Sequence, residues 1–144
     1  MSKRLGLSVA LLTLAAGCVG PEEPVEVLLW EASLVSRAGF STIGGSVAMV
    51  ANEFDTQIGI AVTGAQPNAR LGWAVRSGQC MGTGTRVSGA IAYPAIAISA
   101  EGDGAAQTVI RRRIGQDPHY AAEVFANVDG SGAILACGDL IRVN

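Results

Sequence analysis

The chain has 144 residues, a formal net charge of −2, and 49% hydrophobic but only 5% aromatic residues. A mildly acidic balance excludes a nucleic-acid partner, because affinity there rests on neutralising phosphates. The length suits one domain after a short leader, and 19 glycines with no sustained 3.6-residue apolar period exclude a helical bundle.

In chain order, Ser2-Lys3-Arg4 is basic and Leu5 to Ala16 is apolar, shorter than the roughly 20 residues a membrane-spanning helix needs. Small residues follow at Ala15-Ala16-Gly17, and Gly20-Pro21-Glu22-Glu23-Pro24 ends the apolar character. Residues 1–17 therefore read as a secretory signal peptide with a signal helix, outside the fold. Cys18 comes directly after Leu14-Ala15-Ala16-Gly17, an arrangement that resembles the bacterial lipoprotein box. That resemblance implies that Cys18 is lipidated and becomes the mature N-terminus, with residues 18–26 a short tether and 27–144 the folded domain. Val19 rather than Asp after the cysteine favours the outer membrane. The expected location is thus the bacterial cell envelope, as an outer-membrane lipoprotein facing the periplasm or the surface.

Three cysteines are an odd number for an exported protein. If Cys18 takes lipid, Cys80 and Cys137 remain as one pair in an oxidising compartment. Loss of the leader also removes Lys3, the only lysine, and Arg4, which leaves 8 basic against 12 acidic residues and a charge near −4. Arg111-Arg112-Arg113 is the single basic cluster; without interleaved aromatics it reads as a solvated strand edge.

From Val25 onward, short apolar runs are separated by Gly, Pro, Asn and Asp. Strands are predicted near Val27–Val35, Ser46–Ala51, Gln57–Thr63, Leu71–Ser77, Val87–Ile91, Ala95–Ser99, Ala106–Arg112, Tyr120–Asn127 and Ala133–Arg142. Alternation is clearest where Ile58, Ile60 and Val62 oppose Gly59, Ala61 and Thr63, and where Trp73 and Val75 oppose Ala74 and Arg76. Likewise Ala122, Val124 and Ala126 oppose Glu123, Phe125 and Asn127, and Trp73 is expected to face the core. Turns are marked at Gly44-Gly45, Gly64 to Asn68, Gly82 to Gly84, Gly102 to Gly104, Gln116 to Pro118 and Asp129 to Gly132. The fold class is all-β, an eight- to nine-stranded antiparallel sandwich or flattened barrel.

Several of these stretches together resemble the copper/zinc superoxide dismutases. Val62-Thr63-Gly64-Ala65-Gln66-Pro67-Asn68, then Leu71-Gly72-Trp73-Ala74-Val75-Arg76 and Cys80, is similar to the region around that family's copper site. Tyr93-Pro94-Ala95-Ile96, Gly102-Asp103-Gly104-Ala105 and Gly130-Ser131-Gly132-Ala133-Ile134-Leu135-Ala136-Cys137-Gly138 resemble later family segments. The likeness runs from about Gly45 to Ile141 and extends to ligand-poor relatives of the CHRD type. It implies a Greek-key barrel with a Cys80–Cys137 disulfide, which would close a loop worth about 4 kcal/mol in the chain-entropy model.

The same resemblance implies that the metal ligands are gone. The His-x-His positions, whose alternate side chains would leave one face of a strand, hold Ala74 and Arg76. Alanine offers no donor atom and a guanidinium repels a cation. The last copper position aligns with Phe125, and the arginine expected before Ala-Cys-Gly is Ile134. Met81 to Tyr93, where zinc ligands would lie, contains no His, Asp or Glu. His119 is the only histidine and reads as a surface-turn residue, since a patchwork of His119, Asp117 and Glu123 is a poor metal set. In the vacated patch, Arg76 is expected to pair with Glu123 or Asp129.

The expected function is a non-catalytic, lipid-anchored envelope protein with no metal and no cofactor. Its partners would be the membrane through the N-terminal lipid and an unidentified envelope protein or small ligand, in a structural or binding role. The alternative is a metal-dependent superoxide dismutase with relocated ligands.

Overall fold

The computed structural model describes Gly20 and residues 24–39, 42–89, 92–116 and 118–143. Cys18 and the leader expected over residues 1–17 lie outside the described residues, as does Asp117.

The strands are β1 (Leu28–Ser36), β2 (Gly44–Ala51), β3 (Thr56–Thr63), β4 (Arg70–Ser77), β5 (Ile96–Ala97), β6 (Gly104–Ile110), β7 (Tyr120–Phe125) and β8 (Ile134–Val143). All pairings are antiparallel, in the order β5-β4-β7-β8-β1-β2-β3-β6. The two ends of that order, β5 and β6, meet across a tight turn in which the Ser99 N–H donates to the Asp103 carbonyl at 2.8 Å. The sheet thereby becomes a nearly closed barrel, which leaves little free edge for unwanted pairing. Consecutive strands β4, β5 and β6 lie side by side, with β7 against β4 and β3 against β6, so the crossings are of Greek-key type.

Alternation decides which side chains fill the barrel. Along β1, Leu28, Trp30, Ala32 and Leu34 are buried while Glu31, Ser33 and Val35 are exposed. β2 and β3 follow the same rule, sending Val47, Met49, Ile58, Ile60 and Val62 inward. Two edge-to-face aromatic pairs lie in this core: Trp30 with Tyr120 at 5.9 Å, and Trp73 with Tyr93 at 5.0 Å. Trp73 faces inward as expected, and its indole N–H is satisfied by the Pro94 carbonyl at 2.8 Å. Burial pushes the Tyr93 phenol above its ordinary pKa.

The structure departs from the sequence reading in three places. Val87 to Gly89 belong to no strand: this segment makes only an isolated bridge, Arg76 with Arg86, and Ala90 and Ile91 lie outside the described residues. Gly44 and Gly45 are within β2 rather than in a turn. Gly45 has φ +146° and sits so close to the Ala61 carbonyl that a Cβ would overlap it, so the residue type answers a close approach between strands. Finally, β6 stops at Ile110, which puts Arg111-Arg112-Arg113 in the bend beyond the strand. There Arg112 donates to the Val87 carbonyl and Arg113 faces Glu26 at 3.9 Å, so these arginines brace the barrel's end and do not line a sheet edge.

Candidate functional site: the covered face of β4 and β7

Register places the site. Gly72 pairs with Phe125, Ala74 with Glu123 and Arg76 with Ala121, so Ala74, Arg76, Glu123 and Phe125 share the outer face of β4 and β7. On the next strand Cys137 pairs with Glu123, which sets the disulfide beside the same patch. The structure thus brings together the three positions that the resemblance marks as degenerate, Ala74, Arg76 and Phe125.

That outer face is closed off. After β4 the chain leaves at Gly78 and is stapled to β8 by Cys80–Cys137, whose Cα atoms are 5.8 Å apart. The Cys80 N–H also donates to Asp139 Oδ1 at 2.7 Å. The chain then passes over Glu123, whose Oε1 accepts the Met81 N–H at 3.3 Å, and returns to the edge of β4. There Ser77 N–H bonds the Thr85 carbonyl at 3.0 Å and Val87 N–H bonds the Val75 carbonyl at 2.9 Å. Gly84 allows the close fit, because a Cβ at that position would run into the Ser77 carbonyl. Under this cover all six residues of β7 are buried, although a strand with one wet face would alternate. Phe125 is therefore core, not an exposed-face residue.

Arg76 and Glu123 form the polar centre. Arg76 Nε lies 2.7 Å from Glu123 Oε2, with the glutamate 2% and the arginine 28% exposed. Among the described residues these two atoms have only each other, while Arg76 Nη1 donates to the Gly84 carbonyl at 3.2 Å. A buried carboxylate is tolerated only when it is paired, and here a cation, a backbone N–H and the disulfide loop surround it. The expected ion pair is present, and Glu123 is the partner. Asp129 instead accepts from the Ser131 N–H and hydroxyl, which holds its carboxyl below the usual pKa.

Two residues that sequence reasoning passed over complete the site. Arg86 donates to the Asp129 and Gly130 carbonyls, the latter at 2.5 Å. Its guanidinium lies 5.8 Å from the Phe125 ring centre and that of Arg76 lies 5.7 Å from it. Asp139 anchors the start of the loop. A lone arginine in a glycine-rich segment and an acid two residues after Cys137 were the available signals, but neither names its partner.

His119 is exposed beside a cleft of about 390 Å³ lined also by Trp30, Gln79, Asp139 and Arg142, and its carbonyl accepts the Gly78 N–H at 2.7 Å. Glu123 does not line that cleft, so the two are not brought together as a ligand pair. Among the described residues no three His, Cys, Asp or Glu side chains are grouped as a metal site. Chemically, the covered face as described holds a fixed charge pair beneath a loop. No protein-family model matches this chain, and no curated protein matches it.

Proposed function

We propose that the chain is a lipid-anchored protein of the bacterial cell envelope whose superoxide dismutase-like barrel does no chemistry and serves a structural or partner-binding role. The observation that carries this reading is the Arg76–Glu123 pair, sealed under the disulfide loop on the face where the resemblance would put copper. A guanidinium at one former ligand position and a methyl group at another offer no site for a cation. Lipidation at Cys18 rests on the sequence pattern alone.

The test is the metal content of the purified domain, with Cys18 replaced, after dialysis against copper and zinc. The expected result is well below one equivalent of either metal. A stoichiometric, chelator-resistant metal would overturn the reading in favour of a dismutase with relocated ligands, which an activity assay would then examine.

A further inference from the structure

The end of the barrel where the chain enters carries features that the covered face does not use. Glu26, two residues before β1, is clamped there by Arg142 at 3.0 Å and Arg113 at 3.9 Å. The turn between β2 and β3 lies at the same end, since Leu28 pairs with Ala51 and Ala51 with Thr56. At its tip Phe54 is 77% exposed, the most exposed large apolar side chain among the described residues. It is held in that position: Asn52 Oδ1 accepts the N–H groups of Phe54 and Asp55 at 2.8 and 2.9 Å, and Asn52 Nδ2 donates to Asp55 at 2.6 Å. Val25, Val27 and Val143, all exposed, lie at this end too.

We infer that this end of the barrel rests on the phospholipid headgroup layer, with Phe54 as the inserted side chain. The inference depends on the proposed lipid at Cys18. Eight residue steps separate Cys18 from the clamped Glu26, a reach of at most about 28 Å when fully extended. An eight-residue strand such as β3 is itself about 26 Å long. To turn the opposite end to the bilayer, the tether would have to be stretched nearly to its limit, whereas the Phe54 end meets the surface with slack to spare. A single apolar tip would not bind lipid alone, but a tether of this length holds it at high local concentration. Glu53 and Asp55 beside Phe54, Glu26 with Arg113 and Arg142, and Arg111 and Arg112 beyond β6 give a rim of both signs that fits zwitterionic headgroups.

The test uses the acylated full-length protein in vesicles of phosphatidylcholine and phosphatidylethanolamine with brominated acyl chains. Trp30 and Trp73 are each only 2% exposed, so their emission is a constant buried background that is subtracted using the wild-type protein in the same vesicles. In a Phe54→Trp variant, blue-shifted emission and loss of intensity to the brominated chains are expected. A Val128→Trp variant, placed in the turn after β7 at the opposite end, should keep the emission of a water-exposed indole. Equal exposure of both reporters, with Cys18 shown by mass spectrometry to carry lipid, would overturn the docking and leave the anchor intact. Native protein without lipid on Cys18 would remove the anchor and the docking together. Shielding of the Phe54→Trp reporter in whole envelopes but not in vesicles would assign the surface to a protein partner and overturn the lipid proposal.

Discussion

The outer face of β1, β2 and β3 and the outer face of β4 and β7 begin from the same alternating pattern and end differently. On the first, Glu31, Ser33, Ser46, Ala48, Gln57 and Ala61 remain in water. On the second, Ala74, Glu123 and Phe125 are buried as deeply as the barrel interior. The strands do not differ in kind. The second face has a loop held over it by one disulfide, by Asp139 and by Glu123 itself, which makes a small second core around a charge pair. A half-wet sheet becomes a buried one when a connection long enough to cross it is fastened at both ends.

The strongest way to break the contrast is to release the staple. Replacing Cys80 and Cys137 by serine together should cost about 4 kcal/mol in urea unfolding, from the 57-residue separation in the chain-entropy model. It should also speed hydrogen exchange at the Met81 N–H while leaving β1 to β3 protected. A loss below about 1 kcal/mol would mean that the loop is held by its hydrogen bonds alone.

Next comes the charge pair. Arg76→Ala leaves a buried carboxylate unpaired, which should cost about 3 kcal/mol, the low end for a broken buried pair because Arg76 is 28% exposed. The double replacement Arg76→Met with Glu123→Leu should recover most of that loss. If Arg76→Ala costs under about 1 kcal/mol, the pair behaves as a surface salt bridge and the cover is looser than described.

The smallest change sharpens the comparison directly. Ala48→Gln on the open face should shift stability by less than about 0.5 kcal/mol. The same substitution at Ala74, beneath the loop, forces an amide into a filled space and should cost about 2 kcal/mol. Similar values at both sites would erase the distinction between the two faces.

Much of this was legible beforehand. Period-two runs such as Ile58, Ile60 and Val62 place their own core face, because side chains on a strand alternate by geometry. That Arg76 would meet a carboxylate followed from the resemblance and from strand alternation, which left Glu123 and Asp129 open until the register of β4 against β7 chose Glu123. Of the strand predicted at Val87–Ile91, the described Val87–Gly89 belong to none, because an apolar residue records burial and not ladder pairing, and Val87 is buried as part of a cover. Phe125 shows a related limit: alternation says which way a side chain points, but not what lies beyond it. Arg86 and Asp139 make their contacts to backbone groups distant in the chain, and no local pattern encodes those.

By itself, then, the sequence determined an all-β chain, the inward-facing residues of its alternating runs and most of its turns, since these follow from local geometry and side-chain type; the Cys80–Cys137 pairing came from the cysteine count and the resemblance. Only the tertiary structure decided that the order β5-β4-β7-β8-β1-β2-β3-β6 nearly closes on itself, and that the loop after β4 lies over its own strand. Both depend on contacts between residues far apart in the chain, whose free energy is set by burial and closure rather than by any neighbouring residue.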